Sequence, residues 1–156
     1  MADFIEISCN LTDVRVRARV EDDIPEELRA TFLNSVREPL KMAADHTMSS
    51  GDYFLARGRP PRHPVKLGNQ IHPNPMGGTP VMLSRLKAGD VLYTGGNDMS
   101  FGYGPHNTEA LEAKGVIVAK VPAESLDDYW KLGRAVWEAA YRTHVLPIVT
   151  VEHIKG

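Results

Sequence analysis

A strict alternation of apolar and charged residues lies near the start of the chain. Across residues 14–20, valine or alanine at even positions alternates with Arg15, Arg17 and Arg19. This period of two predicts a β-strand with one buried face and one solvated face. The turn-rich residues 10–13 separate it from the apolar residues 4–8, so we expect the two segments to form a hairpin. The arginine row then lies on the solvated face and needs no ligand to explain it.

The spacing of apolar residues lengthens to four after the hairpin. Pro25 suits a first helical turn, and the apolar residues that follow at this interval are Leu28, Phe32, Val36 and Leu40. They predict an amphipathic helix from about residue 25 to about residue 45. We expect a kink at Pro39, because proline lacks an amide hydrogen and disfavours helical geometry at the preceding residue.

Residues 125–142 carry the strongest helical pattern. Ser125 and Asp128 approximate a capping box at its start. A wide apolar face follows at helical spacing and consists of Leu126, Tyr129, Trp130, Gly133, Val136, Trp137, Ala140 and Tyr141. A helix this apolar is expected to lie against a sheet.

The other regular segments are short and separated by turn residues. Strands are predicted over residues 53–57, 81–86, 91–94, 100–103, 115–121 and 145–151, with one or two helical turns over residues 108–114. The order lacks β-α-β-α alternation, which disfavours a Rossmann winding. We therefore expect an α+β fold, a mostly antiparallel β-barrel or rolled sheet closed by two helices, in one domain over residues 1–156.

Residues 58–80 form a proline-rich loop that holds six of the chain's prolines. Loops of about 20 residues without elements of their own are uncommon inside compact domains and are often functional lids. We expect this loop to be a lid or to form one wall of a pocket.

Composition and charge exclude several partners. A formal net charge of −2 provides no sequence-wide positive field to attract nucleic acid. The longest apolar run, residues 115–121, is far shorter than the roughly 20 residues of a membrane span. A single cysteine, Cys9, and a start without a basic or long apolar export signal predict a cytoplasmic protein.

Motifs for dedicated cofactors are absent from the sequence. It contains no G-x-G-x-x-G, phosphate-loop, H-E-x-x-H, C-x-x-C or G-x-S-x-G pattern. Its six histidines include no H-x-H or H-x-x-x-H pair, although His63 and His72 share the proline-rich loop. We therefore expect neither a metal nor another cofactor.

One cluster with groups suited to proton transfer lies after the first predicted helix. His46, Ser50 and Asp52 sit together at a helix-to-strand junction, where an imidazole, a hydroxyl and a carboxylate are close in sequence. An ordinary helix end explains the same residues, with an imidazole near the helix dipole and a Ser-Ser-Gly turn. Both interpretations stay open.

A second cluster is rich in glycine and aromatic residues. Tyr93 precedes a turn with Gly95 and Gly96, and Tyr103 and His106 lie in and just after the next predicted strand. Backbone amides in such turns and the exchangeable protons of the rings offer contacts to a ligand. Plain hairpin geometry requires similar glycines, so this cluster also has a purely structural interpretation.

The order of these motifs resembles a known family. A-D-H-T-M-S-S-G at residues 44–51 is followed by A-G-D-V-L-Y-T-G-G at residues 88–96 and F-G-Y-G at residues 101–104. With the opening hairpin and the late tryptophan-containing helix, they are similar to a bacterial family with a cyclophilin-like barrel, to which the cucumopine synthases are related. The similarity extends over most of the chain. Where the family commonly has a tryptophan before Ser-Gly, this chain has Ser49.

The resemblance implies a small-molecule enzyme with a metal-free acid-base site. Cucumopine synthases condense an amino acid with a 2-oxo acid through an imine and close a ring, which requires carboxylate anchoring and proton transfer but no redox cofactor. The implied catalytic groups are Glu21 or Asp22 with His46 as base and acid, and Tyr93 or Tyr103 as proton donor. The implied substrate-binding residues are Arg57 or Arg59 as a carboxylate clamp, with Ser50, Gly95, Gly96 and His106.

Two other functions stay open at this point. Cyclophilin-like barrels host several tasks, so the alternative is a non-catalytic module that binds a small ligand or a prolyl peptide. A cupin-like metal barrel is the second alternative, because Ala-Gly-Asp at residues 88–90 precedes a predicted strand. The aromatic late helix further predicts that the barrel pairs with itself as a homo-oligomer.

Overall fold

The computed structural model describes residues 2–59, 78 and 80–155. Within them, eight antiparallel strands form a closed barrel and two helices pack against it. The strands are β1 (Phe4–Cys9), β2 (Arg15–Val20), β3 (Leu40–His46), β4 (Gly51–Arg57), β5 (Asp90–Tyr93), β6 (Asp98–Asn107), β7 (Val116–Lys120) and β8 (Ile148–Ile154). The helices are α1 (Glu26–Ser35) and α2 (Leu126–Glu138). The strand order around the barrel is β1-β2-β7-β5-β6-β4-β3-β8.

Strand β1 closes the barrel. It pairs with β2 on one edge and with β8 on the other, so the first and last strands of the chain are neighbours. Successive side chains of the predicted hairpin point to opposite faces of the sheet, and the arginines of β2 lie on the exposed face. The residues that it buries in the barrel are Ile5, Ile7, Cys9, Val16, Ala18 and Val20. The predicted hairpin is confirmed.

The two helices cover opposite ends of the barrel, as their contacts with β5 show. Tyr129 of α2 donates a hydrogen bond to the carbonyl oxygen of Asp90, the first residue of β5, at 2.9 Å. Phe32 of α1 packs on the ring of Tyr93, the last residue of β5, with 5.1 Å between ring centroids. We call these the α2 end and the α1 end. Since buried side chains of both helices join the core, the predicted α+β antiparallel barrel closed by two helices is confirmed.

The first helix is shorter than its apolar spacing predicts. It ends at Ser35, and the residues after Pro39 form β3. Met42, Ala44 and His46 are buried while the residues between them are exposed, so the period there is two rather than four. The chain leaves the helix because proline disfavours its continuation and because β4 and β8 offer β3 a partner on each side. The predicted kinked helix reaching residue 45 was wrong.

Two other local predictions were also wrong. Residues 81–86, expected as a strand, contain a single 3-10 turn at Leu83–Arg85, and residues 108–114, expected as a helix, are irregular. The two segments bond to each other instead. The Leu83 amide donates to the Leu111 carbonyl at 2.6 Å, and the Ala113 amide donates to the Val81 carbonyl at 2.9 Å. These bonds use backbone groups that a helix would have paired internally.

The second helix lies where the sequence predicts it. α2 continues as a π-helical turn, Ala139–Thr143, and ends at His144, whose φ of 58° is left-handed. The predicted capping box does not form, because Ser125 makes no side-chain hydrogen bond to the helix start.

The apolar face of α2 is divided between the core and the surface. Its buried residues are Tyr129, Leu132, Gly133 and Val136. Trp130 and Tyr141, predicted on the same face, remain 46% and 38% exposed. Helical spacing explains why only part of the predicted face is buried. The residues four, seven and eleven positions after Trp130 lie with it on one strip of the helix surface, and this strip is adjacent to the strip of buried residues. We call this strip, formed by Trp130, Arg134, Trp137 and Tyr141, the side strip.

No helix of the described residues is long and apolar enough to span a membrane. The proline-rich loop, expected to be a lid or pocket wall, comprises residues 58–80. Residues 60–77 and 79 lie outside the described part of the chain, so the role of this loop stays a prediction.

Gly133 sets how closely α2 approaches the barrel, because the Tyr103 ring occupies the space that a Cβ at this position would need. We expect Gly133→Ala to lower the melting temperature. Overpacking costs about 1–3 kcal/mol, which exceeds the roughly 1 kcal/mol that alanine contributes to a helix. Gly102→Ala is the matched control, because its Cβ would lie 3.4 Å from the Leu86 side chain, an ordinary contact. Thermal unfolding in which Gly133→Ala is the more stable variant would contradict this packing.

Candidate active site

His46 is the last residue of β3 and lies at the α2 end, where its strand's inward alternation buries the ring to 6% exposure. Its Nδ1 lies 2.8 Å from the Thr47 carbonyl oxygen, and its Nε2 lies 2.6 Å from the Tyr103 hydroxyl. A carbonyl oxygen only accepts hydrogen bonds, so Nδ1 carries the proton. In the neutral ring, Nε2 then accepts from Tyr103. The local contacts therefore select one tautomer.

The surroundings of His46 keep it neutral. Burial lowers the pKa of the imidazole below its usual value of 6.5, and the positive charge of Arg134 adds to this effect. The Thr47 carbonyl and the carboxylates of Asp52 and Asp45 act in the opposite direction and do not overcome burial. At neutral pH the ring is therefore an acceptor at Nε2.

Tyr103 joins the barrel core to the helix. Its ring packs on Gly133 of α2, and its neighbour Gly102 pairs with Asp90 at the α2 end. Burial, followed by the charge of Asp52, raises the pKa of the Tyr103 hydroxyl to about 12. The Arg134 guanidinium lies beside the hydroxyl and lowers this pKa. The phenol therefore keeps its proton at neutral pH and donates it to His46.

Arg134 lies in the side strip of α2, between two indole rings. Its Cζ is 4.2 Å from the Trp137 ring centroid and 5.5 Å from the Trp130 ring centroid, which are cation-π distances. Within the described residues Arg134 forms no ion pair with a carboxylate. The guanidinium is thus held by aromatic faces rather than by a counter-ion.

Asp52 brings a negative charge to the same end. It lies at an irregularity in the pairing of β4 with β6, and its Oδ2 accepts a hydrogen bond from the His106 amide at 3.2 Å. Gly104 gives it room, because a Cβ there would overlap the Asp52 carboxylate. Nearby, Asn107 donates to the Gly104 carbonyl at 3.0 Å, and its buried Oδ1 has no hydrogen-bond partner among the described residues.

Four of the residues predicted from the sequence lie together at the α2 end. His46 and Tyr103 form the buried pair. Ser50 is also buried, and its carbonyl accepts the Thr108 amide at 3.2 Å. His106 is exposed, and its backbone amide donates to Asp52. Because His46 ends a strand, the interpretation of this cluster as an ordinary helix end was wrong.

A second group of predicted residues lies at the α1 end. Tyr93 is buried, and its hydroxyl is 2.7 Å from Ser35 Oγ. The others surround the turn into β6 and are Arg57, Arg59, Gly95 and Gly96. His46 pairs with Phe54 of β4, three residues before Arg57, so Arg57 lies about 10 Å further along the strand. Arg57 is exposed whereas the imidazole is buried, so the structure does not place this group around His46.

Glu21 and Asp22, the predicted catalytic carboxylates, lie on the outer surface. Glu21 forms an ion pair with Lys120 at 3.5 Å, and Asp22 forms one with Arg19 at 2.8 Å. Both basic partners are exposed, whereas His46 is inside the barrel. The structure does not bring these carboxylates to the imidazole, and the carboxylates whose charges act on it are those of Asp52 and Asp45.

Arg134 is the residue of this site that the sequence analysis did not predict. Its spacing could have indicated it, because Arg134 follows Trp130 by four positions and precedes Trp137 by three, and helical residues at these spacings are neighbours. An arginine that lies between aromatic residues at helical spacing predicts a positive charge at the boundary between the core and solvent.

A group of three or more His, Cys, Asp and Glu side chains that could hold a metal ion does not occur among the described residues. His63 and His72, which the sequence places in the proline-rich loop, lie outside them.

The fold and the site define a small antiparallel barrel with a buried histidine–tyrosine pair at one end. No protein-family model matches the sequence, and no curated protein matches it. Among solved structures, the chain is similar to McbB in complex with tryptophan, with a TM-score of 0.73 and 24% identity over 95% of this chain and 44% of McbB. It is also similar to the hypothetical protein AF2241 from Archaeoglobus fulgidus, with a TM-score of 0.51 and 12% identity over 97% of this chain and 94% of AF2241. The chain spans less than half of McbB, and these likenesses show the barrel fold alone.

Burial of neutral His46 makes stability depend on pH. Since its pKa is lowered in the folded protein, the unfolded chain takes up a proton first as pH falls below about 6.5, and stability decreases down to the folded-state pKa. We expect His46→Asn to lose less melting temperature than the native protein between about pH 7.5 and about pH 5.5. His144→Asn is the matched control, because His144 is exposed and asparagine tolerates its left-handed backbone. Equal pH dependence in His46→Asn and the native protein would refute the neutral assignment.

Proposed function

We propose that this chain is an enzyme that moves protons on a small amino-acid-type metabolite at the α2 end of the barrel. The observation that carries the proposal is the 2.6 Å hydrogen bond between His46 Nε2 and the Tyr103 hydroxyl, with Nδ1 held by the Thr47 carbonyl. General acid-base catalysis commonly uses an imidazole or a phenol held in a fixed orientation, as both groups are here.

The tautomer of His46 sets the direction of proton transfer. Tyr103 donates its proton to His46 and its oxygen accepts from the Arg134 guanidinium, so one lone pair of this oxygen is left for a substrate. A substrate proton passes to this oxygen while the phenolic proton passes to Nε2, which leaves an imidazolium and an intact phenol. In a later step the pair returns the proton as a general acid.

Charged neighbours balance the two protonation states of this pair. The Asp52 carboxylate raises the pKa of His46 and the Arg134 guanidinium lowers it. The same two groups act on the pKa of Tyr103 in the same directions. A substrate carboxylate that binds Arg134 offsets the charge that lowers the pKa of His46 and thereby favours proton transfer to the imidazole, whereas a cation on Asp52 acts in the opposite direction.

The proposed substrate class rests on two likenesses. McbB, which shares the barrel, was determined with tryptophan bound, and the motifs resemble relatives of the cucumopine synthases. In a condensation of that kind, the amine attacks the carbonyl carbon of a 2-oxo acid, a C–N bond forms and water leaves. A second nucleophile of the amino acid then attacks the imine carbon, closes a ring and loses a proton. Each step moves a proton that the His46–Tyr103 pair accepts or returns, and no step needs a redox cofactor.

Removing the Tyr103 hydroxyl tests this proposal. In Tyr103→Phe the ring still packs on Gly133, so we expect a native-like fold and a turnover that falls about 10²–10⁴-fold, the usual contribution of general acid-base catalysis. The assay combines single amino acids with 2-oxo acids and detects the condensed product by mass spectrometry. Tyr93→Phe is the matched comparison, because it removes a buried phenol hydroxyl at the α1 end.

The other outcomes distinguish the alternatives. Loss of turnover in Tyr93→Phe but not in Tyr103→Phe would refute the proposed site. Ligand binding without product formation by the native protein would support a non-catalytic binding module, and stoichiometric metal in the purified protein would support a cupin-like barrel. The homo-oligomer and the cytoplasmic location stay predictions from the sequence.

A further inference from the structure

Two opposite charges act on Tyr103 from different elements of the fold. Arg134 comes from α2, one position after the glycine on which the Tyr103 ring packs. Asp52 comes from β4 and lies against Gly104, the residue that follows Tyr103. No ion pair joins Arg134 to Asp52, and neither forms one with any other residue in the described ranges.

Separate supports hold the two charges. The Arg134 Cζ lies 4.2 Å from the Trp137 ring centroid. A guanidinium has five N–H donors, so its contact with Tyr103 leaves others for a planar acceptor such as a carboxylate. Asp52 is held by the His106 amide through Oδ2, and a carboxylate has capacity for further hydrogen bonds. The two groups thus both act on Tyr103, and no ion pair joins them in the described ranges.

We propose that Arg134 and Asp52 determine the specificity of this site, with Arg134 binding the carboxylate of an amino-acid substrate and Asp52 binding its ammonium group. This assignment rests on the proposed function. It adds Arg134, which the sequence motifs did not indicate, and gives a role to Asp52, which they placed beside His46. It replaces the arginine clamp expected at Arg57 or Arg59, which lie at the other end of the barrel.

The assignment gives the first proton transfer a defined path. In the proposed complex, the ammonium group held by Asp52 reaches the Tyr103 oxygen. One N–H bond of the ammonium breaks, its electron pair stays on nitrogen, and the proton passes to Tyr103 as the phenolic proton passes to His46 Nε2. The resulting free amine is the nucleophile that a condensation requires. Arg134 meanwhile keeps the substrate carboxylate away from Asp52, so the two ends of the molecule are distinguished.

Three ligands that share an indole side chain test the roles of Arg134 and Asp52 separately. Tryptophan carries both an ammonium and a carboxylate, tryptamine carries only the ammonium, and indole-3-propionate carries only the carboxylate. Dissociation constants are measured by calorimetry for the native protein, Arg134→Gln and Asp52→Asn. We expect Arg134→Gln to weaken tryptophan and indole-3-propionate at least about tenfold and to leave tryptamine unchanged. Asp52→Asn should weaken tryptophan and tryptamine similarly and leave indole-3-propionate unchanged.

Matched controls come from the same helix. Arg142 is exposed and pairs with Glu138, and Asp127 is exposed in the first turn of α2. Arg142→Gln and Asp127→Asn change the net charge by the same amounts as the test variants, and we expect them to leave all three dissociation constants unchanged. Effects of the controls equal to those of the test variants would show a general field effect and overturn the assignment.

The result separates this inference from the proposed function. Tyr103→Phe keeps both charges, so it should lose turnover and keep the ligand selectivity of the native protein. If Arg134→Gln and Asp52→Asn weaken all three ligands alike, the specificity assignment fails while the acid-base proposal stands. If the native protein binds none of the three, the dissociation constants are measured instead for each amino acid that supports turnover and for its analogues that lack one charge. The selectivity of Arg134→Gln and Asp52→Asn for these ligands then tests the assignment. If no amino acid binds or reacts, both proposals fail together.

Discussion

The contact between Gly133 and the Tyr103 ring is the constraint on which the rest of the candidate site depends. A helix approaches a sheet this closely only where a side chain is missing, and the aromatic ring fills the space that glycine leaves. The approach has two consequences. It carries Arg134, the next residue of the helix, to the Tyr103 hydroxyl, and it holds the side strip of α2 at the boundary between the core and solvent.

The polar pair beneath this contact is buried but satisfied. His46 bonds to the Thr47 carbonyl on one side and to Tyr103 on the other, and the Tyr141 hydroxyl donates to the same Thr47 carbonyl at 2.9 Å. A buried polar group without partners costs about 1–3 kcal/mol, so these bonds make an imidazole tolerable in an apolar barrel. They also orient it, because each ring nitrogen has a single role. A site whose groups are already oriented needs little rearrangement when a substrate arrives.

The barrel has two ends, and they are chemically different. At the α1 end, Tyr93 bonds to Ser35 and packs on Phe32, so its hydroxyl is used within the core. At the α2 end, Tyr103 bonds to a titratable ring, and two charges of opposite sign act on the pKa of its hydroxyl. A shared fold does not determine the chemistry of a site, so the likeness to McbB and AF2241 establishes the fold and the side chains must support the function.

The sequence by itself determined the elements whose pattern is local. The period of two in β2 and the helical spacing of α2 each report which residues share a face, and each element lies where its pattern predicts it. His46 and Tyr103 were also visible as proton-transfer groups. Local spacing did not predict β3. Its apolar residues four positions apart are compatible with a helix, and its alternate residues are compatible with a strand. Pairing with the neighbouring strands β4 and β8 favours the strand.

Only the tertiary structure decided which candidate residues meet. His46 and Tyr103 are 57 positions apart and form a hydrogen bond, whereas Tyr93, ten positions before Tyr103, lies at the opposite end. Arg134 enters the site from a third element. The order in which strands close a barrel determines these distances, and that order depends on backbone pairing between distant segments, which the spacing of residues along the chain does not report.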